Sequence, residues 1–393
     1  MAKGRSNVRI ALLAALVAAV GLCAVQAAPS SGAPREVRFR RVVLDKEFRA
    51  EGAAVADVNR DGKLDVLAGN LWYEAPDWAP HEIAPVKRYD GATGYSNCFA
   101  CFAIDVDRDS WPDQVVLGMP GDPAVWRRNP GRASGHWQEF PVCRSACNET
   151  PLSVRVGSSP RLLLACDERQ MAWLEPGGRP EQGFAVTPIG EADGPGVQRF
   201  SHGLGLGDLN GDRRPDVLTS EGYYLAPARV DGEWQTVRRA ISPPCANMHA
   251  LDVNGDGLAD VLCSSAHGYG VWWLEQRRGG GGPEFVQHVI DDTISQTHAL
   301  MLADIDGDGR KDLVTGKRFW AHGPKGDPGS DEPAILCWYR STRVDGGVAW
   351  ERHDIDGDSG VGTQFEVTDV NGDRRPDIVV ANKKGVFVFL QER

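Results

Sequence analysis

Apolar positions in this chain come in short runs, and polar loops rich in aspartate separate them. Six times a run of two or three aliphatic residues follows directly on such a loop: Val66-Leu67, Val115-Val116-Leu117, Val217-Leu218, Val261-Leu262, Leu313-Val314 and Ile378-Val379-Val380. A turn comes next, then an aromatic run such as Leu71-Trp72-Tyr73, Val125-Trp126, Val271-Trp272-Trp273 or Val386-Phe387-Val388-Phe389. A more polar segment follows, as in 285–290 or 350–355, and a further apolar run, as in 299–302, leads into the next loop. Runs of this length, β-branched or aromatic and bounded by turn residues, predict strands. Four strands per repeat is the make-up of a propeller blade.

The loops also serve as a ruler. Their first aspartates stand at 57, 105, 208, 252, 304 and 369, so the second interval is about double the others. That interval predicts a seventh repeat near residue 155. Ser153–Val156, Leu162–Leu164 and the aromatic run Ala172–Glu175 supply it, around a loop without aspartates. The last repeat stops after its aromatic run, while Val37–Val43 stands ahead of the first loop. Pairing these two would remove a bare sheet edge. The expected fold is all-β: a seven-bladed β-propeller of four-stranded antiparallel blades over residues 36–393, closed by an N-terminal strand completing the last blade.

Each loop is a nonapeptide with Asp or Asn at positions 1, 3 and 5 and Asp at position 9. The candidate ligands are Asp57, Asn59, Asp61 and Asp65; Asp105, Asp107, Asp109 and Asp113; Asp208, Asn210, Asp212 and Asp216. The later loops offer Asp252, Asn254, Asp256 and Asp260; Asp304, Asp306, Asp308 and Asp312; Asp369, Asn371, Asp373 and Asp377. Alternate oxygen side chains on a tight loop suit a hard cation, so up to six structural Ca2+ sites are expected. An EF-hand needs flanking helices and a Glu at position 12, where this chain has Ala68 in the first copy and Cys263 in the fourth.

Residues 1–27 read as a secretory signal peptide: Lys3, Arg5 and Arg9, an apolar stretch from Ile10 to Val20, and a small-residue site ending at Ala27. Residues 28–35 are a linker. Secretion or delivery to a periplasm is expected, with no membrane span after cleavage. Cleavage removes three positive charges and moves the net charge from −11 to −14. Twenty aspartates sit in the six loops, and six divalent cations would nearly neutralise the chain. The acidity therefore points to bound metal and argues against a nucleic-acid partner. Eight cysteines remain, and an exported chain can oxidise them; cross-pairing of Cys98 and Cys101 with Cys143 and Cys147 is one arrangement, and a metal site from the same thiols is its rival.

The nonapeptides and their spacing resemble the FG-GAP/VCBS repeat, the calcium-binding propeller repeat of integrin α chains. Arg213, Arg374 and Ser110 stand where that family favours Gly, which implies weaker binding in those loops. The resemblance implies metal loops on one face of the ring and ligand on the opposite face.

Histidines gather in the connections expected on that opposite face: His202, His249, His267, His298 and His322. His202 and His298 each stand six residues before a first aspartate, with Glu51 equivalent in the first repeat and Gln364 one residue off in the last. Converging imidazoles there can hold a transition metal such as Zn2+ or act as general acid and base; each histidine can equally serve a local backbone group. The longest excursion, Gly316–Pro328, concentrates Lys317, Arg318, Trp320 and His322. Arg318 offers a fork for a carboxylate or hydroxyls, and Trp320 a face for a sugar ring. Asn97, Asn148 and Glu149 extend the rim.

The segments Arg-Phe-Ser-His of 199–202, Ala-His-Gly-Tyr-Gly of 266–270, Thr-His-Ala-Leu of 297–300 and Lys-Arg-Phe-Trp-Ala-His of 317–322 are similar to exported bacterial propellers and to the propeller of aldos-2-ulose dehydratase, a carbohydrate lyase. Two functions follow as expectations. The first is a calcium-binding module for a carbohydrate or another exported protein. The alternative is a carbohydrate dehydratase with His202, His298, His267, His322, Lys317 and Arg318 as its catalytic group. No nucleophilic triad or phosphate-cradling glycine loop is present.

Overall fold

The aspartates at positions 1, 3 and 5 turn the chain by accepting backbone N–H groups two to five residues ahead. In the first loop Asp61 donates its N–H to Asp57 and Asn59, and Lys63 to Asp61, at 2.9–3.0 Å. Such side-chain-to-backbone bonds are why Asp and Asn favour turns over ladders. Each loop takes two residues through the left-handed region. Glycine fills one or both positions in most loops, but Arg213, Arg374 and Ser110 adopt φ of 69, 68 and 71°.

The structure is a computed structural model, and it describes residues 36–156, 159–229, 232–280, 282–345 and 347–392. The expected signal peptide and linker lie outside the described residues. Each acidic loop joins the first two strands of an antiparallel meander. The first sheet comprises Ala54–Ala56, Asp65–Ala68, Leu71–Glu74 and Ala79–Glu82. The second has Ala100–Ile104, Asp113–Leu117, Ala124–Arg128 and Gln138–Cys143, and the third, without aspartates, has Leu152–Val156, Ser159–Cys166, Gln170–Pro176 and Phe184–Ile189. The sixth repeat forms Leu300–Ala303, Asp312–Gly316, Leu336–Val344 and Gly347–Asp356. In the last sheet Glu366–Thr368, Asp377–Asn382 and Gly385–Glu392 are joined by Arg38–Asp45, which pairs antiparallel with Gly385–Glu392.

The fourth and fifth repeats depart from the expectation of seven separate blades. They share one eight-stranded sheet, so five four-stranded sheets stand alone. Leu204–Gly207 and Met248–Leu251 pair in parallel through Gly205 with Met248 and Leu206 with His249. Glycine permits this approach: a Cβ on Gly205 would lie 2.3 Å from the Met248 carbonyl oxygen, and one on Gly207 2.1 Å from Ala250 Cβ. The fold is an all-β propeller of small antiparallel four-stranded blades.

The core lies between neighbouring sheets. Phe102, Val115 and Trp126 of the second pack with Leu162, Ala172 and Leu174 of the third. Leu67 and Tyr73 of the first share a cluster with Val379 and Val388 of the last. A cavity of about 550 Å³ is lined by the first strands of the meanders, from Ala54 and Phe102 through Val154, Leu206, His249 and Met301 to Glu366. Among the described residues no helix is long and apolar enough to cross a membrane.

The cysteine expectation is corrected. All eight described cysteines are free thiols. Cys98 interacts with Cys101, Cys143 with Cys166 and Cys245 with Cys263, so the pairing suggested between the 98–101 and 143–147 loops is not what the fold brings together.

Candidate functional site

Position 9 of the acidic loops differs in kind from positions 1, 3 and 5. Asp65, Asp113, Asp216, Asp260, Asp312 and Asp377 are fully buried at the start of each second strand. In every loop one carboxylate oxygen accepts the N–H of position 2, from Val58, Val106, Leu209, Val253, Ile305 or Val370, at 2.9–3.1 Å. The other oxygen accepts an N–H beyond the aromatic run, such as Ala75 at 2.9 Å or Gln276 at 2.7 Å. This aspartate therefore ties loop to blade whether or not an ion is bound. Burial pushes these groups up, Asp260 to about 6 and Asp113 to about 8, against the pull of the two N–H donors.

The loops fit a cation most openly in the second repeat, where position 9 takes part, and in the sixth, where positions 1, 3 and 5 do. Asp105, Asp107 and Asp113 converge, as do Asp304, Asp306 and Asp308, with oxygens within 4.8 Å of one another. Asp105 Oδ1 and Asp304 Oδ1 are buried there without a hydrogen-bond partner. Basic side chains lean on some loops: Arg128 on Asp107 at 2.5 Å, Arg340 on Asp306 at 2.7 Å, and Arg214 and Arg375 on Asp212 and Asp373.

His202 and His298 stand just ahead of first strands, at the ends opposite the acidic loops, while His267 and His322 lie in connections between second and third strands. Phe200 and Gln296, each two residues before His202 and His298, both adopt left-handed backbone at φ 64 and 54°. Bulky residues rarely hold that conformation, and its repetition marks two chain reversals that set the two imidazoles. Gln296 also receives Ala321 N–H on its side-chain oxygen at 3.1 Å, while its carbonyl takes Arg318 N–H at 2.8 Å. It thereby fixes the excursion against His298. A turn closed by Ser265 N–H to Gly270 carbonyl, 2.8 Å, presents His267.

Three imidazoles meet edge to edge. Nε2 of His202 lies 3.1 Å from Nε2 of His298 and 3.2 Å from Nε2 of His267. Glu149 Oε2 stands 3.0 Å from His298 Nε2 and 3.6 Å from His202 Nε2. Beneath it, Arg318 binds Glu149 at 3.3 Å and Glu51 at 2.9 Å, and lies against the rings of Tyr95 and Phe99. Burial, with the Arg318 cation nearby, holds His298 well below the usual imidazole range; burial and His202 bring His267 down to about 4. Burial would raise Glu149, but hydrogen bonds from His202 and His298 and the Arg318 cation hold it well below the usual carboxylate range. The shifts of His298 and His267 thus favour neutral imidazole, and that of Glu149 the ionised carboxylate.

His322 joins from the rim. Its ring stacks on His267 at 4.6 Å, and its Nδ1 lies 3.0 Å from Asp327 Oδ1. Lys317 does not face the cluster: buried, it donates to the carbonyls of Gly329 and Glu332 and pins the excursion. Trp320 donates to Ser330 carbonyl at 2.9 Å. His249 stands apart, its Nε2 2.8 Å from Leu300 carbonyl oxygen. Asn148 donates to Gly196 carbonyl, and Asn97 accepts from Tyr89; both serve the scaffold. His81, His288 and His353 stack on Trp72, Trp273 and Trp338 on the outer strands. Sequence reasoning missed Asp327 and Gln296; a carboxylate five residues after His322 was the available signal for the first.

Comparison with known proteins supports the repeat. Residues 252–315 match the model of the FG-GAP-like repeat. The matched FG-GAP-like segment runs from the Asp252 loop to the second strand of the sixth repeat, and so contains His267 and His298 as well as two acidic loops. No curated protein matches the sequence, so the likeness to aldos-2-ulose dehydratase is not confirmed and rests on its short segments alone. Among solved structures, a mutant Tc holotoxin pore of Photorhabdus luminescens aligns with 84% of this chain at 14% identity and a TM-score of 0.39. This chain spans 16% of that one.

Proposed function

We propose that this chain is an exported, calcium-stabilised propeller that binds a carbohydrate on its histidine face through a transition-metal ion held by His202, His267 and His298. The observation that carries the reading is the spacing of the three Nε2 atoms, 3.1 and 3.2 Å along the two edges from His202. Zinc bonds nitrogen at roughly 2.0–2.1 Å in tetrahedral sites, which sets ligand nitrogens roughly 3.3 Å apart. The donor set agrees, since neutral imidazole is the ligating form and burial favours it at His267 and His298. Glu149 Oε2 stands 3.0 Å from the same His298 Nε2, where it offsets an ion's charge and could itself complete the donor set as a carboxylate ligand. When bound, such an ion would offer Lewis acidity to hydroxyl oxygens. Seven repeats, with the eight-stranded sheet counted as two blades and Arg38–Asp45 closing the ring, agree with seven first strands around one cavity and with the core shared by the first and last sheets. Calcium in the acidic loops is supported by the unpartnered Asp105 and Asp304 oxygens.

The test is metal content after mild chelation and dialysis into calcium, combined with glycan-array binding. Zinc or a similar ion retained by the wild type, lost with His298→Ala, and needed for glycan capture supports the reading. Calcium alone, with glycan capture indifferent to His298→Ala, overturns it. Loss of water from a captured sugar would move the assignment to a lyase.

A further inference from the structure

Two groups of ligating side chains meet at a single imidazole. His202, His267 and His298 form one group, and His267, His322 and Asp327 the other; within each, the ligating atoms lie within 4.8 Å of one another. His267 serves the two groups through different nitrogens. Its Nε2 faces His202 at 3.2 Å, and its Nδ1 faces Asp327 Oδ1 at 3.8 Å. That Nδ1 is buried and has no hydrogen-bond partner, although a carboxylate and a second imidazole stand beside it. His322 stacks on His267 with 29° between the rings, so the two present their Nδ1 atoms to the same carboxylate.

We propose that His267 bridges two transition-metal ions: one held through Nε2 with His202 and His298, the other through Nδ1 with His322 and Asp327. The proposal rests on the metal reading of the first trio and adds a second ion to it. An imidazole ring directs its two nitrogen lone pairs outward on different sides, so one ring can serve two cations once both ring protons have gone to solvent. Carboxylate, imidazole and bridging imidazolate suit Zn2+ and Cu2+. The two positions differ in access. His298 is wholly buried, whereas the His322 side chain is 52% exposed. The inner ion therefore sits deeper, between partly exposed His202 and His267 and buried His298, and the outer one has the more open coordination positions for an oxygen-bearing ligand at the rim.

The experiment uses the full mature chain in calcium, stripped of other metals and loaded with Zn2+ or Cu2+ alone. The wild type takes up two zinc ions per chain, the second more weakly. His322→Ala, at an exposed side chain that leaves folding intact, and His322→Ala with Asp327→Asn each take up one. With two coppers, the paramagnetic resonance signal of the wild type falls well below that of two isolated ions, because the bridge couples them; the variants give the full signal of one. One zinc in the wild type, or two that persist in the double variant, overturns the bridge while the first trio stands. No zinc uptake at all overturns both. Two uncoupled coppers also overturn the bridge.

Discussion

Replacing Asp260 by Ala separates the two roles an aspartate loop can play. Asp260 is fully buried, accepting Val253 N–H at 3.1 Å and Gln276 N–H at 2.7 Å. Alanine leaves both donors buried without an acceptor, at about 1–3 kcal/mol each, or about 2–6 kcal/mol together. Asp260→Asn keeps one acceptor oxygen and turns an NH2 toward the other donor, so about half that loss is expected. Asp256, at position 5 of the same loop, is exposed and accepts Leu258 N–H at 2.8 Å. Water replaces that acceptor, so Asp256→Ala costs less than about 1 kcal/mol without calcium. The assay is urea unfolding followed by tryptophan fluorescence at pH 8, where Asp260 is ionised, in calcium and in EGTA. The Asp260→Ala loss should persist in EGTA, while the Asp256→Ala loss should appear mainly in calcium, as lost mass-action stabilisation. If the Asp260→Ala loss vanishes in EGTA, position 9 is a ligand and not a strut.

Three further outcomes are expected. Arg318→Met leaves Glu51 and Glu149 buried without their cation and should destabilise by about 3–5 kcal/mol, read as a lower urea midpoint. Arg213→Gly relieves a left-handed backbone at φ 69° and should raise stability by about 1 kcal/mol in the same assay, since its N–H bond to Asp208 survives. Burial raises Glu366 from 4.5 to about 7, so the folded chain keeps a proton that the unfolded chain loses, and stability falls as pH rises between those values. Glu366→Gln should remove this loss, by at most about 3 kcal/mol at pH 8 and by little at pH 4, in melting curves taken across that range.

The repeat was legible because strand chemistry is local. The aliphatic and aromatic runs fall within observed strands, and the double interval correctly led to the strands Leu152–Val156, Ser159–Cys166 and Gln170–Pro176. The position-9 strut was not legible, since a ligand and a buried acceptor both require an acid. Nor was the merger of the fourth and fifth repeats, which depends on the closeness that Gly205 and Gly207 allow. His202 and His298 could be compared by their offsets from the aspartates. Glu149 and Arg318, 169 positions apart, meet only through the geometry of the fold. Lys317 looked like a ligand-facing cation beside Arg318, yet neighbouring residues of an extended segment point to opposite sides, and its ammonium turned to the carbonyls of Gly329 and Glu332.

The most direct measurement is anomalous scattering at the zinc edge from crystals grown with calcium and zinc. The account predicts a zinc peak bonded to Nε2 of His202, His267 and His298, beside Glu149 and away from the aspartate loops. Zinc confined to those loops, with the three imidazoles hydrogen-bonded to one another and no peak between them, would contradict it.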